Sequence, residues 1–196
     1  ISKEIENELG KLSMPGAKFS VTVKQTESST GLDIDSKKYL FDSYGIDQIS
    51  FEFSANPGQP LQPINKIASG GEMSRIMLAI ELIFSKKTSN RTMIFDEVDA
   101  GVGGEAAIEV GKRLKLLAQK HQVVVVTHLP QVAAFADSHL KVVKSSDSKV
   151  TKTDVVSLNN DERLTEIARM MAGLSDSSSA IEHARELIGL SKSVSL

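Results

Sequence analysis

The chain has 196 residues, 40% of them hydrophobic and 24% charged, with a formal net charge of −2. That length suits one substantial domain with a buried core, and the near-neutral balance gives no global drive towards nucleic acid or membrane. Cysteine is absent, which excludes a disulfide framework and a thiolate metal site and fits a reducing cytosol. His121, His128, His139 and His183 are scattered, so no zinc-binding spacing can be assembled. No apolar run approaches the roughly 18 residues of a membrane span, and no signal peptide is visible. The chain opens directly in a helix-like run, Ile1 to Leu12, which reads as the cut end of something longer.

Ile5, Leu9 and Leu12 recur at helical spacing, and Met14-Pro15-Gly16 closes the run. Phe19, Val21 and Val23 then alternate with polar residues, as do Ile49, Phe51 and Phe53 further on. Both patterns predict half-buried strands of an antiparallel sheet with one wet face. Residues 25–47 between them are polar, with Ser28-Ser29-Thr30-Gly31 reading as a turn, and Asn56-Pro57-Gly58-Gln59-Pro60 is a loop. After Pro63 the character changes. Met73 to Phe84 is apolar on nearly every side, predicting a helix buried between layers. Thr92–Phe95 and Val123–Val126 are continuous apolar strands, the pattern of a parallel sheet covered on both faces. Ala106, Ala107, Val110, Leu114 and Leu117 supply an amphipathic helix between them, making a strand-helix-strand unit. Pro130 suits the first turn of a short helix to Ala136. Leu140–Lys144 and Val150–Val156 form a hairpin around Ser145–Ser148, followed by helices with stripes at Leu164, Ile167, Ala168, Met171 and at Ile181, Ala184, Ile188.

Three short segments carry chemistry. In Ala68-Ser69-Gly70-Gly71-Glu72, consecutive N–H groups at a glycine turn face outward from the positive end of a helix, where an oxyanion can approach with no Cβ in the way. Ser69 adds a hydroxyl donor. Taken alone, the same residues also suit a plain helix entry. In Thr92-Met93-Ile94-Phe95-Asp96-Glu97, an apolar strand ends in two carboxylates at the sheet edge where open parallel sheets bind ligands. One carboxylate there can hold hydrated Mg²⁺, and the other can orient or deprotonate an attacking water, provided the chain turns at that point. Two solvated acids at a strand end is the simpler alternative. In Val123-Val124-Val125-Val126-Thr127-His128, a histidine ends the neighbouring strand, where it can contact a phosphate oxygen or be a satisfied structural residue. The order of the three segments, and the helical crossover between the second and third, favour a single phosphate-handling site. No G-x-x-x-x-G-K-[ST] loop to cradle the nucleotide occurs in the chain.

These residues resemble the carboxyl-terminal half of an ABC-type ATPase head. Ala68–Glu72 is similar to the signature motif, Thr92–Glu97 to the Walker B strand, Val98-Asp99-Ala100-Gly101 to the D-loop, and His128 to the switch histidine. The missing Walker A loop points to the SMC-like group, in which that loop lies in an amino-terminal half beyond a long coiled coil. Phe53–Gly58, Ile94–Val102, Val126–Ala133, Glu166–Gly173 and His183–Leu187 are similar to a bacterial DNA-repair branch of that group. The resemblance implies an α/β fold, half of a P-loop ATPase head, with residues 1–14 ending a coiled-coil arm and 15–196 forming the carboxyl-terminal lobe. It implies ATP and Mg²⁺ as cofactors, Asp96 on the metal through water, and Glu97 and His128 as catalytic residues. Ser69, Gly70, Gly71 and Glu72 would meet the γ-phosphate held by a second head, with Asp99 coupling the two sites. The implied partners are the protein's own amino-terminal Walker A half, a second head in an ATP-dependent homodimer, and DNA, at the nucleoid in the cytoplasm, with no membrane. Without its amino-terminal half the sheet should show an uncovered apolar edge or face, and the fragment alone should be inactive. Two alternatives stand beside this. A transporter nucleotide-binding subunit would carry its phosphate loop in the same chain. A head-like module could instead dock DNA or a partner without hydrolysis, although no DNA-binding motif is recognisable and Lys86, Lys87, Lys141 and Lys144 also suit a solvated face.

Overall fold

A computed structural model of the chain describes residues 1–67, 69–85, 90–147, 150–172 and 178–194; the side chains of 145–147, 150 and 151 are outside that description. Ala68, Lys86, Lys87 and Gly173 therefore lie outside the described residues. The chain divides into two compact units, Ile1–Ser69 and Gly70–Leu196.

In the first unit, helix α1 (Ser2–Lys11) buries Ile5 and Leu9, and Leu12 just beyond it is also buried. Ser13 takes a left-handed conformation and the Met14 N–H donates to the Leu9 carbonyl at 3.0 Å, which closes the helix before Pro15. Strands β1 (Lys18–Lys24), β4 (Gln48–Ser54) and β5 (Gln62–Pro63) form an antiparallel sheet, ordered β1-β4-β5. The register sets Phe19 against Phe53, Val21 against Phe51 and Val23 against Ile49. Phe19 and Phe53 are buried, and the Phe19 N–H donates to Glu6 Oε1 of α1 at 3.1 Å. Val23, Ile49 and Phe51, on the same apolar stripe, are exposed. Strands β2 (Glu27–Ile34) and β3 (Lys37–Tyr39) form a separate hairpin. Ser28–Gly31, expected as a turn, lies inside β2, where the register slips between Glu27 and Leu32 and both oppose Tyr39. The turn is at Asp35-Ser36, whose φ values of 47° and 67° match a two-residue hairpin. Small polar residues marked an irregularity correctly, but it is a shift of register within the strand, at which Gly31 approaches the Tyr39 carbonyl too closely for any Cβ.

In the second unit, strand β6 (Thr92–Phe95) pairs in parallel with β7 (Gln122–Val125), and helix α3 (Gly104–Ala118) joins them. Helix α2 (Gly70–Phe84) packs against α3 and buries Ile76, Leu78 and Ala79. Met93 and Phe95 are buried, but the opposite face of the same sheet is open, with Ile94 73% exposed and Val124 and Val126 also exposed. A continuous apolar run suggested two covered faces; among the described residues only one is covered, so alternate residues of the run lie in water. After β7, α4 (Pro130–Ala133) begins at Pro130, and strands β8 (His139–Asp147) and β9 (Val150–Leu158) make the expected hairpin, longer than the apolar pattern indicated. Helices α5 (Asn160–Ala172) and α6 (Ser178–Ser191) close a core of Ala134, Phe135, Ile167, Ala168, Ala184 and Leu187. Among the described residues no helix is long and apolar enough to cross a membrane.

Lys141 does not belong to a free solvated face. It bonds Glu166, which is only 6% exposed and also takes Nε and Nη2 bonds from Arg169 at 2.6–3.1 Å. Hydrogen bonds from Arg169, and then from Lys141, outweigh the cost of burial and hold the Glu166 carboxyl at about 2, below its ordinary 4.5. The native state thus binds this proton less readily than the unfolded chain. The resulting stability is complete above the ordinary value and fades as pH falls from there through about 2. Glu166→Gln should lose about 1–3 kcal/mol at neutral pH. In urea melts the gap to wild type should narrow between pH 4.5 and 2; a gap independent of pH would contradict this. Gly111 in α3 faces Phe135 so closely that a Cβ would sit 2.5 Å from Cδ2 of that buried ring and 3.1 Å from the Gln131 carbonyl. Alanine gains about 1 kcal/mol of helix propensity but overpacks a ring and a backbone atom at about 1–3 kcal/mol. Gly111→Ala should therefore lower the urea midpoint, and a raised midpoint would show that Phe135 can move aside.

Candidate phosphate-handling site

The parallel register places Phe95 beside Val125, and the Val126 N–H donates to the Phe95 carbonyl at 3.0 Å. Asp96-Glu97 and Thr127-His128 therefore leave the same carboxyl edge of adjacent strands. The alternation of the strand stops at Glu97, whose φ is +55°, in the left-handed region that only glycine adopts freely. The Ala100 N–H then donates to the Glu97 carbonyl at 3.0 Å and the Val102 N–H to the Asp99 carbonyl at 3.2 Å. The chain turns where it must for both carboxylates to serve one edge.

Helix α2 begins at Gly70, the residue after Ser69. Its first two residues touch this turn. A Cβ on Gly70 would lie 2.5 Å from Glu97 Oε2, and one on Gly71 would lie 2.9 Å from Ala100 Cβ and 3.1 Å from the Glu97 carbonyl oxygen. At Gly71 the close neighbours are Ala100 Cβ and the Glu97 backbone carbonyl, so only glycine fits there without a shift; at Gly70 the neighbour is the movable end of the Glu97 side chain. Glu72 follows in the first turn of the helix, the favourable end for an acid.

Asp99 is only 2% exposed. Thr127 Oγ1 donates to Asp99 Oδ2, and the Leu129 N–H donates to Thr127 Oγ1 at 3.0 Å. His128 Nδ1 stands 3.6 Å from the same Asp99 oxygen, an ion pair whenever the ring is protonated, while the imidazole is 79% exposed. Asp96 is exposed. Among the described residues no three His, Asp or Glu side chains converge as a metal cage. Asp96, an exposed carboxylate just past β6, is a donor of the kind by which Mg²⁺ is held beside nucleotides, together with retained waters and substrate phosphates.

Two residues of this site are missed by sequence reading. Ser74 Oγ donates to the Asp96 carbonyl at 2.7 Å. Arg75 Nη1 donates to the carbonyls of Ala100 at 2.8 Å and Val98 at 3.4 Å. Arg75 is 7% exposed, and burial lowers its pKa while Glu72, one turn earlier, opposes that shift. The available signal was a polar Ser-Arg pair inside an otherwise apolar helix.

No family model matches the chain. It is 49% identical over 181 residues to the DNA repair protein RecN of Streptomyces coelicolor, covering 92% of this chain and 32% of that protein. It is 44% identical over 196 residues to RecN of Mycobacterium leprae and 39% over 194 residues to that of Halalkalibacterium halodurans, covering 96% and 99% of this chain and 33% of each relative. The chain thus spans about a third of the length of these relatives. Among solved structures, an Smc head domain with a coiled coil and joint from Pyrococcus yayanosii matches with a TM-score of 0.54 at 21% identity, over 87% of this chain and 29% of that one. An Smc head with an extended coiled coil from Pyrococcus furiosus matches with a TM-score of 0.50 at 24% identity, over 86% of this chain and 37% of that one. The fold is therefore part of an SMC-type head, and at 39–49% identity along nearly its whole length the chain is similar to about a third of the length of these RecN proteins.

Proposed function

We propose that this chain is the half of an SMC-like ATPase head that completes and fires an ATP site, in a protein acting on broken DNA during recombinational repair. The observation that carries this reading is the meeting, at one sheet edge, of Asp96 and Glu97, Thr127 and His128, and the glycine-led start of α2. The names of the curated relatives support the repair role. The nucleotide itself would be held by a Walker A loop in another segment of the protein. The open apolar face at Ile94, Val124 and Val126 supports the addition of a further layer to this sheet.

Within that site each residue has a task. Asp96 would hold hydrated Mg²⁺, which when bound offsets charge on the β- and γ-phosphate oxygens. Glu97 orients an attacking water and accepts its proton as the oxygen adds to the γ-phosphorus opposite the leaving oxygen. His128 donates a hydrogen bond to a γ-phosphate oxygen, with the Asp99 carboxylate 3.6 Å from Nδ1 to attract the ring when it is protonated. Asp99 and Thr127 thus act inside one head, alongside any contact that Asp99 makes across a head–head interface. Ser69 and the N–H groups of Gly70 and Gly71 serve the γ-phosphate of the facing head, displacing the Glu97 carboxylate from the start of α2. Two ATP molecules would be clamped between two such heads. The α1 helix, with Ile5 and Leu9 locked into the first unit, would root the coiled-coil arm.

Glu97→Gln keeps the shape of the side chain and removes the base. In the protein reconstituted with its Walker A segment, kcat should fall about 10²–10⁴-fold, while ATP binding persists and a head dimer accumulates in light scattering. Hydrolysis at the wild-type rate by that variant sinks the assignment and favours a head-like module that docks DNA or a partner without catalysis.

A further inference from the structure

We propose that Ser74 and Arg75 are positioning residues that set the backbone of Glu97 from the helix that begins with Gly70 and Gly71. The proposal rests on the reading of Glu97 as the residue that activates water. Glu97 has no glycine's freedom, yet its φ is +55°. A strained conformation of that kind persists only where the surroundings over-determine it. Here the surroundings are hydrogen bonds from α2. The carbonyl immediately before Glu97, that of Asp96, accepts from Ser74 Oγ at 2.7 Å. The carbonyl immediately after it, that of Val98, accepts from Arg75 Nη1 at 3.4 Å, and the same nitrogen reaches the Ala100 carbonyl at 2.8 Å.

The guanidinium is costly where it lies. It is buried in an apolar helix, and its Nε has no hydrogen-bond partner among the described residues. A leucine would fill similar space; what arginine adds is a charged donor aimed at the turn. At the amino end of the same helix, Gly70 leaves the volume of a Cβ to Glu97 Oε2. One helix therefore pins the backbone on both sides of Glu97 and receives its carboxylate at its first residue. An anion arriving at Gly70 and Gly71 both displaces that carboxylate and bears on the element that fixes its backbone. Phosphate sensing and base placement are thereby one mechanical event.

The test compares wild type, Ser74→Ala and Arg75→Met in the reconstituted protein and in the 196-residue chain alone. In the reconstituted protein kcat should fall on the order of 10²-fold for Arg75→Met and about tenfold for Ser74→Ala, with the KM for ATP unchanged. In a Glu97→Gln background neither change should weaken ATP-driven pairing of heads, because the residue being positioned is already disabled. An unaltered kcat, or a fall matched by equal loss of pairing, overturns the proposal. In the chain alone, amide exchange at Ala100 and Val102 should accelerate while α5 and α6 keep their protection. Unchanged exchange overturns the proposal even where no hydrolysis is found, whereas an inactive wild type with accelerated exchange overturns only the reading of function. If Arg75→Met does not fold, Ser74→Ala decides both arms.

Discussion

Everything in the second unit that bears on chemistry depends on how closely the start of α2 approaches the Glu97–Ala100 turn. Gly71 makes that approach possible, because a Cβ there would fall 2.9 Å from Ala100 Cβ and 3.1 Å from the Glu97 carbonyl oxygen, while Gly70 leaves room for Glu97 Oε2. The contact is also electrostatically apt. The free N–H groups at a helix start carry partial positive charge, and a carboxylate is the side chain they favour. On the proposed reading, a phosphate oxygen of the facing head would take the place of the Glu97 carboxylate there.

Asp96, Glu97 and Asp99 place three carboxylates within four residues, an arrangement that like-charge repulsion opposes. The turn separates them into different environments. Asp96 and Glu97 are both exposed, with Glu97 Oε2 close to Gly70, whereas Asp99 is buried under the Thr127 hydroxyl beside His128. The parallel pairing of β6 and β7 makes this possible, because it brings Thr127 and His128 alongside the turn from a distant part of the sequence. The same two strands present Ile94, Val124 and Val126 to water on their other face. A sheet with a chemical edge on one side and an open apolar face on another is well suited to completion by a further segment.

Asp96, Glu97 and His128 were legible in the sequence because each ends a short run of apolar residues, and a buried strand that stops at a polar group marks a sheet edge. Gly70 and Gly71 were legible because two glycines before an apolar helix need a reason. Ser74, Arg75 and the burial of Asp99 were not, since their partners lie 22 to 28 residues away and are backbone carbonyls or a threonine hydroxyl. No local pattern encodes such partners. The open face of β6 and β7 was expected only from the resemblance, which leaves the sheet without its amino-terminal half. The apolar run itself does not show it, since Ile94 and Val124 are as apolar as Met93 and Val125. At Ser28–Gly31 small polar residues signalled a break in regular structure, and whether that break is a turn or a register shift within a strand is decided by the strand opposite.

The central claim is that the glycine-led start of α2 in one head serves the chemistry of another. It is tested most directly by mixing two inactive variants of the intact protein. Ser69→Glu puts a negative charge where the partner's γ-phosphate should arrive; Glu97→Gln removes the base. In a mixed dimer one site pairs an intact Glu97 with an intact Ser69 from the opposite head. Recovery of ATP hydrolysis on mixing, absent from either variant alone, is the predicted result. Persistent inactivity of a mixture shown to form mixed dimers would mean that each head completes its own chemistry, and would contradict the account.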